Sequence, residues 1–429
     1  MAFFVYFLIL IISAILFKHR FKHLINFAFI INAIWCVFGM ISTLGVFNMR
    51  TPILLVHCYA WTFVGIVDII ILLFAKKPAP SQLNAVLESD SEHVSFRFVT
   101  AIQLLSLALI SVLFFRSIVS LVRDKDFSSI RGIFFGKAFD SIYVDFLLRS
   151  VPFAMMEGLI VFYVYIAFLE KKTKFLLYAT INCLIVSICS GGRYTLLLLI
   201  FSMVICALTL DWRKGKNKQV KYLRRLKLAI GVAITLFIAI TFLRGQNIFK
   251  NVFLYYSGSL SFLDRILEEP ELFGFDEGLM YGYLTFGAFI EPIVLFIKAL
   301  FRIDIEVPAY YFDKYCQQYY NISTEEPLLI NNNTSVLYYF LRDFGSVGVV
   351  VGAIFMGTVL VVSYNNMNRQ KLFSGLFFVY FTNVMFNSLM TYQFFGRSPM
   401  IIMITLFLCS RRGKRQSKGY LGVYKYDSV

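Results

Sequence analysis

Residues 194–243 read YTLLLLIFSMVICALTL, then DWRKGKNKQVKYLRR, then LKLAIGVAITLFIAITFL. Two apolar runs, each long enough to cross most or all of about 30 Å of hydrocarbon as a helix, flank a strongly basic connection. Arg213, Lys214, Lys216, Lys218, Lys221, Arg224 and Arg225 all fall in that connection. Short loops of this kind stay on the cytoplasmic side of a membrane, so the stretch fixes both the solvent of the fold and its orientation.

Working outward, near-continuous apolar runs predict further spans near 2 to 17, 24 to 46, 52 to 75, 98 to 122, 150 to 169 and 175 to 190 before this stretch, and 346 to 363, 372 to 391 and 398 to 410 after it. With 194 to 210 and 226 to 243 that makes about eleven transmembrane helices. The expected fold is an all-α, polytopic integral membrane protein. Its divisions are 1–243 (helices 1 to 8), a large external loop over 244–345, 346–410 (helices 9 to 11) and a basic tail over 411–429.

Alternation from the basic anchor puts Lys18 to Lys22, Lys76 and Lys77, Lys171 to Lys174, Arg369 and Lys371, and the tail Arg411 to Lys418 on the cytoplasmic side, with the N-terminus outside. The segment 244–345 carries thirteen acidic and seven basic side chains, the reverse of the cytoplasmic connections, which supports an external location. Within it Leu279 to Phe301 is apolar but interrupted by Gly282, Gly287, Glu291, Pro292 and Lys298. A re-entrant or interfacial helix is expected there, because a full span would invert everything downstream. The first run lacks a positive n-region and a small-residue cleavage site, and reads as a retained helix.

Composition agrees: 59% of residues are hydrophobic and 15% charged, with 48 Phe and 25 Tyr. A water-soluble surface is excluded at that balance. The net charge of +16 lies in the connections between spans, so it orients helices and implies no nucleic acid partner. Six of the seven cysteines fall in apolar stretches and only Cys316 lies in the loop, so no disulfide is expected within it. No internal repeat, CxxC, HExxH or phosphate-binding glycine loop occurs. His19 and His23, four apart, sit in a basic connection unsuited to a metal.

Five arginines stand at external membrane exits: Arg149, Arg193, Arg244, Arg342 and Arg397. Each either snorkels to headgroups or binds a lipid-linked phosphate, for which the planar, always-charged guanidinium is suited. Arg193 belongs to Ser190-Gly191-Gly192-Arg193-Tyr194, a whole connection between spans and therefore a tight hairpin. A second cluster, Asn331 to Gly345, leads into the ninth span. Asn333 and Thr334 are suited to cap a short helix. Tyr338, Tyr339 and Arg342 would then share neighbouring faces, offering aromatic rings and polar groups to a sugar, or simply forming an interfacial belt. Asp343-Phe344-Gly345 lacks every other part of a kinase signature. His57, Asp68 and Glu157 are polar groups inside predicted spans, where such residues are functional suspects.

Ser190-Gly191-Gly192-Arg193, the large penultimate external loop, and Asn333-Thr334 with Asp343-Phe344-Gly345-x-x-Gly348 resemble the oligosaccharide repeat-unit polymerases, the Wzy-type O-antigen polymerases, over roughly residues 175 to 365 and in topology. The resemblance implies a multi-helix glycosyltransferase of GT-C-like architecture in a bacterial inner membrane. Such an enzyme moves a growing glycan from undecaprenyl diphosphate to a hydroxyl on the next lipid-linked repeat unit, without nucleotide sugars.

Implied partners are undecaprenyl-diphosphate-linked oligosaccharides and membrane lipids, with a chain-length regulator and a flippase as protein partners. Arg193, Arg244 and Arg342 would hold diphosphate, with Asp343 or Glu277 as base. Asn333, Thr334, Tyr338, Tyr339 and Arg397 would contact substrate. No cofactor is expected, and no D-x-D cluster suggests a metal. The competing classes are an O-antigen ligase, expected to carry a histidine in the loop, and a lipid-linked oligosaccharide flippase, expected to have short loops and pseudo-symmetry. No histidine follows His93.

Overall fold

Single apolar segments satisfy every backbone N–H and C=O internally only as helices, and helices occupy all but one of the predicted span windows. The computed structural model describes residues 1–76, 95–124, 130, 134, 142–170, 172–210, 231, 248–303, 305–316, 318–325, 327–330, 333–367 and 372–411. The predicted span near 226 to 243 apart from Gly231, its basic neighbour 213–225 and the tail beyond 411 lie outside the described residues.

In chain order the helices are α1 (Ala2–Phe21), α2 (Phe27–Ser42), α3 (Leu54–Phe74), α4 (Phe96–Asp124), α5 (Val151–Glu170), α6 (Lys174–Ser190) and α7 (Tyr194–Leu210). The loop contributes α8 (Ile248–Tyr256), α9 (Gly258–Glu268), α10 (Gly287–Phe301) and α11 (Pro308–Cys316), with a two-residue antiparallel pair, β1 (Tyr320–Asn321) and β2 (Leu329–Ile330). Then come α12 (Val336–Met367), α13 (Leu372–Asn387) and α14 (Ser398–Cys409). Five helical stretches, α1, α3, α4, Phe146–Glu170 and α12, are long and apolar enough to cross a membrane, while α2, α6, α7, α13 and α14 are shorter and apolar.

Burial ranks them. The apolar window of Phe146–Glu170 is 89% buried, whereas that of α1 is 17% buried, so α5 is the central post and α1 a peripheral helix facing outward. Helices α4, α6, α7, α13 and α14 pack around α5, and α3 packs along α12.

Polar contacts between helix ends sort the connections onto two faces. On one, Arg20 Nε donates to Ala75 O (3.1 Å), and Lys76 N donates to Asn365 Oδ1 (2.8 Å). On the other, the connection after α2 meets the large loop. Arg50 Nε lies 2.8 Å from Asp264 Oδ2, Ser261 Oγ donates to Arg50 O (2.7 Å), and Met49 bridges Ser323. This second face is called the loop face below.

Helix α12 is two helices joined at Gly345, whose φ of +61 breaks the ladder. The first part, Val336 to Phe344, folds back on the second because Gly348 and Gly352 have no side chains: a Cβ at Gly348 would lie 1.9 Å from Phe340 O, and one at Gly352 2.3 Å from the Phe340 ring. Carbonyls freed at the break are taken by the loop, with Met280 N donating to Arg342 O (3.2 Å) and Tyr281 N to Asp343 O (3.0 Å). Glycines of the Asp343-Phe344-Gly345-x-x-Gly348 motif therefore have a packing role.

The interrupted run Leu279 to Phe301 forms α10, fifteen residues with Pro292 inside, shorter than the helices of membrane-crossing length. Phe289, Ile293, Phe296 and Leu300 expose one apolar stripe, while Glu291 is buried. That is the pattern of a helix lying against lipid.

Polar groups within the helices are mostly partnered. Asp68 Oδ2 accepts from Ser13 Oγ and Asn32 Nδ2, both at 2.6 Å, tying α1 and α2 to α3. His57 Nδ1 lies 3.1 Å from Tyr6 OH. Glu157 is one of the exceptions, with Oε1 buried and no hydrogen-bond partner among the described residues.

Candidate functional site

On the loop face, the connection Ser388 to Arg397 gathers segments from across the chain. Trp35 Nε1 donates to Ser388 Oγ (3.0 Å) and Val336 N to Ser388 O (2.8 Å). Tyr392 OH donates to Thr285 O (2.8 Å), and Tyr194 OH to Gln393 Oε1 (2.9 Å). Phe395 packs against Phe312 and Tyr339, each 5.2 Å between ring centroids. The start of α7, the loop and the folded-back helix thus meet at one connection.

Two predicted arginines flank it. The Ser190–Tyr194 hairpin is as tight as expected: Gly191 ends α6 with φ +57, and Gly192 N donates to Ser190 Oγ (3.1 Å). This leaves Arg193 next to Tyr194, which binds Gln393. Its Nη2 donates to Tyr255 OH (3.3 Å), with the guanidinium 5.8 Å from the Tyr255 ring centre. Arg397 Nη2 donates to Ser150 Oγ (2.8 Å), its Nε lies 3.9 Å from Glu291 Oε1, and it sits 5.0 Å from the Phe146 ring centre. Arg149, one residue before Ser150, is paired with Asp145 through Nε at 3.0 Å. A band of guanidinium groups therefore runs along helix ends on the loop face.

Arg342 and Asp343 behave differently from the sequence expectation. Arg342 is 1% exposed, not interfacial. It donates to Gly278 O and Tyr311 OH and lies 5.5 Å from the Phe275 ring centre, while its Nε has no hydrogen-bond partner among the described residues. Asp343 is fully buried and its carboxylate accepts Leu284 N (3.1 Å) and Thr285 N (2.5 Å). Both act as braces for the loop, because backbone groups of the 278–285 segment supply partners that let two charged side chains be buried. Glu277, the other carboxylate named as a base, accepts from Tyr311 (2.7 Å), Tyr315 and Lys314 (3.3 Å). The Tyr315 and Tyr311 hydroxyls, with Lys314 behind them, pull its carboxyl down to about 2.

Tyr338 and Tyr339 do not present the open stacking faces expected of them. They are 0% and 1% exposed; Tyr339 stacks on Phe312 at 14° and Tyr338 OH reaches Phe273 O at 3.4 Å. Thr334 and Ser335 are fully buried with hydroxyls lacking hydrogen-bond partners among the described residues, so the expected side-chain cap is not formed and Ser388 O takes the first helical N–H instead. Asn333 is half-buried at the entry to this helix. Arg244 lies outside the described residues.

Sequence reading missed Tyr255, Gln393 and Tyr392, which carry no motif and become visible only through partners far along the chain. Glu291 was noted only as an interruption of an apolar run, and its pairing with Arg397 comes from a different element. Among the described residues no group of three metal-ligating side chains converges. No family model, curated protein or solved structure matches the chain.

Proposed function

We propose that this chain is a membrane glycosyltransferase of about eleven transmembrane helices that polymerises undecaprenyl-diphosphate-linked oligosaccharide repeat units on the extracytoplasmic face of a bacterial inner membrane. The observation that carries the reading is the placement of Arg397 at the end of the Ser388 to Arg397 connection and of Arg193 beside Tyr194, which binds Gln393 of that connection, both arginines at the ends of apolar helices. A lipid-linked diphosphate must sit at that depth while its tail stays in hydrocarbon.

In this reaction the anomeric carbon of the growing chain leaves its lipid diphosphate and bonds to a hydroxyl oxygen of the incoming repeat unit, whose proton passes to the departing diphosphate or to water. Negative charge develops on the departing diphosphate, and arginine forks held by aromatic and polar neighbours stabilise it without rearranging. Arg342 and Asp343 serve by holding the loop over the site. The long loop supports a polymerase over a flippase, and the loop's lack of histidine supports it over a ligase.

Deletion of the gene followed by gel analysis of surface glycans tests the reading. The expected result is a single repeat unit on the final acceptor in place of a ladder. Unchanged long chains would contradict it.

A further inference from the structure

Transfer to a hydroxyl releases a proton, and the two carboxylates expected to receive it are committed elsewhere. Asp343 accepts Leu284 N and Thr285 N. Glu277 accepts from Tyr311, Tyr315 and Lys314, and a carboxyl pulled down to about 2 is a poor base. Beside the arginine band, Glu291 faces Arg397 and Asp145 pairs with Arg149.

Glu157 is placed differently. It stands on α5, seven residues past Ser150, whose hydroxyl accepts from Arg397. At 1.5 Å per residue that is about 10 Å beneath the arginine band. The side chain is 4% exposed, and its Oε1 has no hydrogen-bond partner among the described residues. Burying a carboxylate this way is costly, and glutamine or leucine would fill a similar volume without the charge. An ionisable group kept inside a membrane domain at that cost marks a functional position.

Its surroundings indicate which function. Tyr194, at the start of α7, and Tyr380 of α13 lie within electrostatic reach of Glu157. Tyr194 follows Arg193 and donates to Gln393 Oε1 (2.9 Å), so one phenol belongs both to the candidate site and to the neighbourhood of the buried carboxylate. Beside it, Gln393 Nε2 is a buried donor with no hydrogen-bond partner among the described residues.

We infer that Glu157 is the proton acceptor for glycosyl transfer, working through Tyr194, an inference that rests on the polymerase reading. The attacking hydroxyl gives its proton to the Tyr194 oxygen as the phenol's own proton passes to the Glu157 carboxylate. The hydroxyl oxygen bonds to the anomeric carbon, and the bond from that carbon to the lipid diphosphate breaks with its electron pair leaving on the diphosphate. Glu157 then returns the proton to the departing diphosphate or to water. Its depth on α5 serves the same end, because an arginine at contact distance would hold the carboxylate as an ion pair and weaken it as a base.

The test uses the full chain in nanodiscs, as wild type and as Glu157→Gln, Glu157→Asp and Tyr194→Phe, assayed for polymerisation of lipid-linked repeat units across pH and for binding of those units. Glu157→Gln is expected to lower kcat about a hundredfold, the lower end of what a positioned base supplies, with KM and binding unchanged. It should also lose the fall in rate that wild type shows on the acid side. The titratable groups acting on Glu157 among the described residues are Cys183 of α6, Tyr194 and Tyr380. Helices α4 and α14, also packed on α5, place no charged group against it among those residues. A thiol and phenols titrate on the alkaline side, so an acid limb that Glu157→Gln removes reports the carboxylate. Glu157→Asp should keep the limb and most of the rate, and Tyr194→Phe should lose kcat without losing binding. A wild type that binds repeat units without extending them overturns the polymerase reading and this inference together. A polymerising wild type whose Glu157→Gln variant keeps its kcat, or loses rate while keeping the acid limb, overturns this inference alone. Should Glu157→Gln fail to fold, Tyr194→Phe decides in its place, and a wild-type kcat there overturns the relay.

Discussion

Adding one methyl group at Gly348 or at Gly352 separates a backbone obstacle from a side-chain obstacle on the same residue. At Gly348 the new Cβ would lie 1.9 Å from Phe340 O, 2.7 Å from Phe340 C and 3.0 Å from Phe344 Cβ, so the folded-back helix itself must move. At Gly352 the clash is with the Phe340 ring, at 2.3 Å. Overpacking of this kind costs about 1–3 kcal/mol, offset in part by the ~1 kcal/mol by which alanine favours a helix over glycine.

Gly348→Ala should therefore destabilise by about 2 kcal/mol, at the upper end because a carbonyl cannot rotate away. Phe340→Ala costs about 3–5 kcal/mol alone but clears the space above Gly352, so Gly352→Ala with Phe340→Ala should be less harmful than the sum by ~1–3 kcal/mol. Gly348→Ala with Phe340→Ala should be additive, since the carbonyl remains. A thiol-reactive dye reads unfolding well here, because Cys36, Cys183, Cys189, Cys206, Cys316 and Cys409 are buried and form no disulfide. Equal rescue of both glycine variants by Phe340→Ala, or a wild-type midpoint for Gly348→Ala, would refute the close approach.

Arg193→Lys is expected to fail nearly as badly as Arg193→Ala in restoring polymer to a deletion strain, because a point charge does not reproduce a bidentate fork; near-normal polymer with lysine would leave charge alone as the requirement. Glu277 has its carboxyl pulled from the usual 4.5 to about 2 by the Tyr315 and Tyr311 hydroxyls and Lys314. A depressed carboxyl contributes stability above 4.5 that is lost as pH falls toward 2, so the midpoint should drop across that window in wild type and stay flatter in Glu277→Gln. An identical pH profile for the two would show that the contacts of Glu277 with Tyr311, Tyr315 and Lys314 do not stabilise the fold. A phosphatase fused after Pro327 should be active outside and one fused after Lys418 inactive, and the reverse at either point would overturn the orientation.

The helices and the loop were legible because apolar runs and cationic connections are local signals. A short helix around the interrupted run near Pro292 was legible for the same reason, whereas the break at Gly345 was not read from the sequence. Long-range pairing was not. Arg342 and Asp343 look like surface charges from their position at a membrane exit, and are buried because Gly278, Leu284 and Thr285, some sixty residues earlier, provide their partners. Tyr338 and Tyr339 likewise look like an interfacial pair until Phe312, Tyr392 and Phe395 close over them.

Polymerisation of purified lipid-linked repeat units by the purified chain, with nucleotide sugars absent and EDTA present, bears most directly on the proposed activity. Wild type is expected to build chains longer than one repeat under these conditions, and Arg193→Ala and Arg397→Ala to slow the reaction about a hundredfold, the loss of ~2.7 kcal/mol of leaving-group stabilisation. Unextended repeat units with wild type would contradict the polymerase account, and activity abolished by EDTA alone would replace the arginines with a metal.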